Sequence, residues 1–270
     1  MAAELTALRL TVSALLILLT SAFVSTQINS LSLTTNSCHG QLRLLYILPL
    51  TRPRPDHSRP RKAPSHLLIV IGSGGHTAEM LSMLRNLDTK KYSPRTYVVS
   101  SGDDFSSSKA IEFENDLRGD QGTSADADGQ SEKKSSGEEF EIITVPRARK
   151  IHQPLYTTPF SSLRCLLACI MLLIRQSKAT YNSPITTSPD LILTNGPGTG
   201  VIIILASLIV RFFGLQKKGD MRSIYVESWA RVKTFSLSGK ILYNLGLTDR
   251  FLVQWKGLAK GRAEYRGPLV

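Results

Sequence analysis

One histidine stands at the end of a run of glycines, in Gly72-Ser73-Gly74-Gly75-His76. An imidazole titrates near neutral pH and can take a proton from a hydroxyl group. Glycines let the backbone adopt positive φ and let a ligand come close, and the free amides of a helix start favour anions such as phosphate. Ser73, Gly74 and Gly75 are therefore candidate phosphate contacts, with His76 the candidate base or, failing that, a residue that positions the ligand. A second glycine-rich turn, Asn195-Gly196-Pro197-Gly198-Thr199-Gly200, repeats this chemistry, so Asn195, Gly196, Gly198 and Thr199 join the candidate anion site. Arg147 and Arg149, in "VPRARK", could neutralise a pyrophosphate or touch lipid headgroups. Glu227, in "VESWAR", could act as a base, accept from a hydroxyl, or pair with Arg231 four residues on. The plain alternatives are a tight-packing turn, a surface histidine and a solvated basic face.

These residues need elements to hold them. The apolar run Leu67–Ile71 is too short for a helix and reads as a buried parallel strand. From Thr77 to Leu87, Met80, Leu81, Leu84 and Leu87 recur at helical spacing. Strand and helix signals then alternate: "RTYVVS", a short helix around Ile111, "FEIITVP", a helix from Phe160 to Arg175, "DLILTNG", a helix to Phe213, "SIYVES" and "RFLVQW". That alternation predicts a single Rossmann-like α/β domain with a parallel sheet of about six strands. In open sheets of this kind ligands bind at the carboxyl ends of the strands, where all four informative turns fall.

A nicotinamide site fits poorly. Thr77 stands where the third glycine of the dinucleotide fingerprint belongs, and "RTYVVS" ends in Ser100 rather than in the acid that would hold the ribose. No nucleic-acid motif is visible, and no group of residues has metal-ligand spacing. Cys38, Cys165 and Cys169 form an odd set without a disulfide framework; Cys165 and Cys169 share one face of an apolar helix, as core residues do.

The chain has 270 residues and a formal net charge of +12. Residues 1–65 carry seven basic and two acidic side chains, residues 66–139 eight and thirteen, and residues 140–270 eighteen and six. The basic C-terminal half suits anionic lipid or a phosphorylated substrate. Leu10–Val24 is uncharged, and six basic residues from Arg43 to Lys62 follow it. With Leu5–Leu8 it reads as a membrane anchor over residues 1–27, single-pass, with the body of the chain in the cytosol, the alternative being a cleaved signal peptide. Residues 28–64 read as a basic, proline-rich linker and residues 65–270 as the domain, with a polar, disordered insertion at about 116–139. The apolar helices near 166–174 and 201–213 are either core helices or lie on a bilayer surface.

The stretches "IGSGGHTAEML", "PRARK", "TNGPGTG", "YVESWARVKTFSLSGKILY" and "DRFLVQW", in that order behind one N-terminal anchor, resemble the asparagine-linked glycosylation protein fourteen family from Ser65 to Val270. That resemblance implies one half of a two-chain UDP-N-acetylglucosamine transferase. This chain would supply the fold of the N-terminal, acceptor-binding half of a GT-B glycosyltransferase, and would sit in the endoplasmic reticulum membrane and the continuous nuclear envelope. A small soluble partner would hold the UDP-N-acetylglucosamine donor, giving a heterodimer. Strands for only one Rossmann-like domain lead to the same expectation of a second chain. The acceptor would be dolichol-diphosphate-N-acetylglucosamine, with no tightly bound cofactor and no nucleic acid. The C-terminal residues Tyr265, Pro268, Leu269 and Val270, with no further element expected to cover them, are candidate partner contacts. The rival classes are a scaffold without chemistry and a membrane-tethered NAD(P)-dependent reductase.

Overall fold

A computed structural model describes residues 43, 46–49, 64–122, 140–149, 158–177, 188–196, 198–216 and 219–270. The chain divides into two compact units, Met1–Pro53 and Arg54–Val270. In the first unit residues 43, 46 and 47 are helical. The expected anchor, nearly all of the linker and residues 123–139 of the insertion lie outside the described residues, as do Lys150 and Pro197.

The second unit is built on a parallel sheet. Its strands are β1 (Leu67–Ile71), β2 (Arg95–Ser100), β3 (Phe140–Val145), β4 (Leu191–Thr194), β5 (Arg222–Val226), β6 (Arg250–Val253) and β7 (Ala263–Tyr265). The helices are α1 (Gly75–Leu84), α2 (Asp104–Gly122), α3 (Thr158–Ser177), α4 (Gly198–Phe212) and α5 (Leu237–Leu245). The strand order is β3-β2-β1-β4-β5-β6-β7, so β1 lies inside the sheet between β2 and β4 and the order reverses between β1 and β4. Every residue of β1 is buried, as a strand covered by helices on both faces must be.

The two faces have separate cores. Leu67, Ile69 and Ile71 pack with Met80, Leu84 and Ala110 of α1 and α2. Leu68, Val70 and Ile192 pack with Cys165, Cys169 and Leu173 of α3 and Ile203, Ala206 and Val210 of α4. Register places Val70, Thr194, Tyr225 and Phe251 in one row across the sheet. Leu242 of α5 joins Tyr225 and Phe251 in a third cluster on the α3–α4 side.

Three expectations change in detail. The sheet has seven strands among the described residues rather than six, because Ala263–Tyr265 pairs parallel with Phe251–Val253. A three-residue edge strand leaves almost no periodic signal. The helix around Ile111 is 19 residues long and takes in the start of the polar insertion. The two apolar helices also differ from each other. In α4, Ile203, Ile204, Ala206 and Val210 are fully buried, so the core reading holds. In α3, Cys165, Cys169, Leu172 and Leu173 face the core, while Phe160, Leu163, Leu167 and Met171 are 50–77% exposed in a stripe on another side. Both thiols of α3 are free and buried, with Sγ atoms 4.0 Å apart.

Candidate functional site

The strand order sets the location. Ligands of open α/β sheets bind beyond the carboxyl ends of the strands where the order reverses, here between β1 and β4. Both glycine-rich turns leave the sheet there: Gly72–Gly75 after β1 and Asn195–Gly198 after β4.

The first turn faces outward. Gly74 has φ +63°, where a side chain is strained, and it precedes α1 directly. Side chains added at Gly74 or Gly75 would meet nothing within 4 Å, and Ser73 is exposed. A ligand thus has room to approach these backbone amides. Behind the turn, the Thr77 hydroxyl is buried; it donates to the Gly72 carbonyl and meets the Ser106 hydroxyl at 2.7 Å. This side chain, standing where a dinucleotide fingerprint has glycine, locks the turn to α2. At the end of β2 no carboxylate waits for a ribose: the Ser100 hydroxyl meets that of Thr199 at 3.0 Å, and Asp103 Oδ1 accepts from the Ser106 amide at the start of α2.

The second turn supports the first from beneath. Gly196, at φ +88°, has no Cβ because His76 fills the space: a Cβ there would lie 2.9 Å from His76 Cε1. The Asn195 side chain is buried and donates from Nδ2 to the His76 carbonyl, at 2.8 Å. Thr199 is buried as well. Asn195 and Gly196 therefore hold the His76 turn in place, while Thr199 ties the start of α4 to the end of β2. A Cβ added at Gly198 would meet Ala148 Cβ at 3.8 Å, so the "VPRARK" loop lies alongside.

In that loop Arg147 Nε and Nη2 donate to the carbonyls of Ser101 and Gly102, at 2.8 and 3.2 Å. Its guanidinium ties the turn after β3 to the turn after β2. Arg149 is exposed on the same loop.

His76 keeps 38% of its side chain exposed. Of its ring nitrogens Nδ1 is buried, and it lies 3.4 Å from Glu79 Oε2. That spacing is within ion-pair range but falls short of a well-formed hydrogen bond, and Nδ1 has no other partner among the described residues. Nε2 is left as the nitrogen that can meet a ligand.

Glu79 is the residue that sequence reasoning passed over. Its carboxylate is 15% exposed. Oε1 accepts from the Ser228 hydroxyl at 2.8 Å and from the Trp229 amide at 3.1 Å, while Oε2 has Asn195 Nδ2 at 3.4 Å. One side chain so joins the turns after β1, β4 and β5. A signal existed: Glu79 lies three positions after His76 on a predicted helix, where side chains are neighbours.

Glu227 is placed differently. Its carboxylate is fully buried, accepting from the Tyr225 hydroxyl at 3.4 Å, the Ser228 amide at 3.3 Å and the Ser236 amide at 3.2 Å. Burial pushes its carboxyl above the ordinary glutamate range, and hydrogen bonds from Ser236, Ser228 and Tyr225 pull the other way. Ser236 caps α5 by accepting from the Gly239 amide, and a Cβ on Gly239 would lie 2.0 Å from Glu227 Oε2. This explains the spacing of Glu, Ser and Gly in "ESWARVKTFSLSG": the glutamate fills the helix start that the serine caps, and only glycine leaves it room.

The C-terminal residues run back to the same rim. Tyr265 ends the edge strand β7 and is 42% exposed. The Leu269 amide donates to Gln254 Oε1 at 3.2 Å, and Gln254 Nε2 donates to the Glu227 carbonyl at 3.1 Å. Pro268 and Val270 are exposed. Beside them Trp229 and Trp255 stack with centroids 4.5 Å apart, and Trp255 Nε1 donates to the Trp229 carbonyl at 2.7 Å.

Comparison with known proteins agrees with the assembled motifs. The family described as "Oligosaccharide biosynthesis protein Alg14 like" matches residues 67–269. A UDP-N-acetylglucosamine transferase subunit alg14 of Aspergillus fumigatus is 43% identical over 233 residues, 71% of this chain and all of that one. The subunit of the same name in Schizosaccharomyces pombe is 41% identical over 84% of this chain and 93% of its own. The human subunit is 36% identical over 78% and 85%. Among solved structures, the crystal structure of Acinetobacter baumannii MurG covers 75% of this chain and 45% of its own, at 12% identity and a TM-score of 0.44, a likeness too slight to argue from. From the family match, and from relatives at this identity along almost their whole lengths, the chain belongs to the Alg14-like family of oligosaccharide biosynthesis proteins.

Proposed function

We propose that the chain is the acceptor-binding, membrane-associated subunit of a UDP-N-acetylglucosamine transferase, folded as the acceptor half of a GT-B enzyme. Its relatives are named subunits of such a transferase, so it works within a complex. The partner in this reading is a small soluble chain that holds the UDP-sugar, and the acceptor is dolichol-diphosphate-N-acetylglucosamine at the cytosolic face of the endoplasmic reticulum. One observation supports the reading above the others. His76, whose Nε2 has no partner among the described residues, stands beside the open Gly74–Gly75 turn at the point where the strand order reverses.

In the reaction the acceptor's sugar 4-hydroxyl attacks the anomeric carbon of the donor. The new C–O bond forms as the bond to the leaving UDP breaks, and the hydroxyl proton passes to His76 Nε2. Ser73, Gly74 and Gly75 receive the acceptor's diphosphate on their backbone amides, with Arg149 adding positive charge from the neighbouring loop. Glu227 holds the turn that carries Ser228 and Trp229. The tail residues Tyr265, Pro268, Leu269 and Val270, reaching this rim, meet the partner there.

The test is UDP-N-acetylglucosamine transfer by the reconstituted complex at matched partner occupancy. His76→Ala lowers turnover by roughly 10² to 10⁴, the usual contribution of a positioned proton acceptor, and leaves partner binding intact. Full activity in His76→Ala would remove the base from this turn and leave Glu227 or the partner to supply it. A scaffold without chemistry gives that same full activity.

Membrane association in this reading has two sources, the uncharged Leu10–Val24 and the outward stripe of α3. Phe160, Leu163, Leu167 and Met171 are flanked on that helix by exposed Arg164 and Arg175, an apolar stripe with basic neighbours that suits a bilayer with anionic headgroups. Replacing Leu163 and Met171 by glutamate lowers the membrane-bound fraction of a chain truncated before residue 28. An unchanged fraction would leave attachment to other segments.

A further inference from the structure

The carboxylate of Glu79 faces the buried nitrogen of His76 and is itself held from a third turn. His76 Nδ1 and Glu79 Oε2 are 3.4 Å apart, and Ser228 and Trp229 anchor the other oxygen at 2.8 and 3.1 Å. The ring is packed against Gly196 on one side, and the His76 backbone is fixed by Asn195. A base within reach of a group that is itself oriented by further hydrogen bonds is the arrangement that activated bases share.

We propose that Glu79 is a positioning residue for His76, fixing its tautomer with the proton on Nδ1 and the lone pair on Nε2. This rests on the reading of His76 as the base. Glu79 Oε1 accepts from Ser228 and Trp229, and a carboxylate offers only acceptors, so a neutral imidazole facing Oε2 must present N–H at Nδ1. When the acceptor hydroxyl gives its proton to Nε2, the ring becomes an imidazolium with both nitrogens protonated, and the adjacent carboxylate stabilises that charge. After the UDP leaves, the Nε2 proton passes to solvent and the same tautomer returns. A separation of 3.4 Å is consistent with this, since such contacts tighten when substrate binds.

Glu79→Gln is the informative change. With its amide oxygen turned to Ser228 and Trp229, glutamine keeps both anchoring hydrogen bonds, gives up the 3.4 Å contact from Asn195 Nδ2, and presents an NH₂ group to Nδ1. It therefore stabilises the opposite tautomer, with the proton on Nε2, where no lone pair remains to accept from the substrate. The measurement is a two-bond ¹H–¹⁵N correlation spectrum of the full-length chain, histidine-labelled and in complex with its partner in nanodiscs, with His76→Gln assigning the signals. We expect the Nδ1–H pattern in the wild type and a shift to the Nε2–H pattern in Glu79→Gln.

Turnover falls by at least about tenfold and by no more than the His76→Ala loss of roughly 10² to 10⁴, with the acceptor KM within about twofold. Glu79→Asp, which keeps the carboxylate, recovers part of that loss. In a His76→Ala background Glu79→Gln costs nothing more, because residues that act as one unit are not additive. An unchanged tautomer in Glu79→Gln would overturn the proposal, and so would an equal fall in turnover with and without His76. If His76→Ala proved fully active, the base assignment would fall, and the spectrum would still decide whether Glu79 sets the tautomer.

Discussion

Two carboxylates on helices that pack on the same face of the sheet tie those helices to their surroundings in different ways. Glu114 of α2 is fully buried with Arg95 and Tyr97 of β2. Arg95 donates to both its oxygens, at 2.7 and 2.8 Å, and the Tyr97 hydroxyl donates at 2.6 Å. Burial first, and then the Glu114 carboxylate, push the Tyr97 phenol well above its ordinary range. Every strong donor and acceptor there is used inside the protein. Glu79 of α1 reaches the rim, partly exposed, with contacts from 2.8 to 3.4 Å and a neighbouring imidazole that still has a nitrogen to offer. The closed network leaves nothing to bind, whereas the open one is incomplete until something arrives. Buried charge by itself marks architecture, and charge with one face left over marks the site.

The comparison breaks most visibly at Glu114. Glu114→Ala strands the Arg95 guanidinium in the core, and removing one partner of a buried pair costs about 3–5 kcal/mol. Denaturant unfolding of the complex should show a loss of that size, with turnover per folded molecule unchanged. A loss under about 1 kcal/mol would mean that the pair is not what holds α2 to β2. Glu79→Gln, by contrast, should shift stability by less than about 1 kcal/mol, since both anchoring hydrogen bonds survive.

Gly196 and Gly75 sharpen the same contrast within the site. Gly196→Ala forces a side chain onto a residue at φ +88° and into the His76 ring, whose Cε1 would be 2.9 Å away. The backbone alone costs about 1–2 kcal/mol, and the displaced ring lowers turnover as well. Gly75→Ala adds a methyl group to open space in the first turn of α1. It should leave stability unchanged and raise the apparent acceptor KM by about tenfold, or about 1.4 kcal/mol. Equal effects of the two substitutions on stability and on KM would erase the distinction between the supporting turn and the receiving one.

What was legible in the sequence follows from the same distinction. A strand such as Leu67–Ile71, covered on both faces, must be apolar throughout, and the turn after it must be small where a ligand approaches, so β1 and Gly72–His76 could be read residue by residue. The parallel sheet and the two glycine turns at one rim followed from alternation alone. Burial could not be read that way. Asn195, Thr199 and Glu227 have the chemistry of ligand contacts, but their surroundings are set by residues distant in the chain: Asn195 meets His76 across 119 positions, and Glu227 lies under the start of α5. Glu79 was hidden for a similar reason, because its partners Ser228 and Trp229 lie about 150 residues away. The edge strand β7 escaped because three residues carry too little pattern, and it takes in Tyr265, one of the candidate tail contacts.

That edge strand carries the smallest of these effects. Glu264 of β7 accepts from Arg250 of β6 and, at 3.1 Å, from Arg266. The hydrogen bond from Arg250 is the main cause holding its carboxyl below the ordinary glutamate range, and burial works against it. A depressed carboxylate contributes stability above its unfolded pKa and loses it as the pH falls through the folded one, so this contribution is present at neutral pH and fades in acid. Because the glutamate is about a third exposed, its size is that of a surface ion pair, under about 1 kcal/mol. Glu264→Gln should thus cost a few tenths of a kcal/mol at pH 7, with the difference from wild type closing below the ordinary glutamate pKa of about 4.3. If β7 positions the tail for the partner, the same substitution weakens partner affinity at pH 7 without changing turnover at saturating partner. A stability loss with no change in affinity would show that Pro268, Leu269 and Val270 do not depend on the strand that precedes them, and would return the tail to an ordinary chain end.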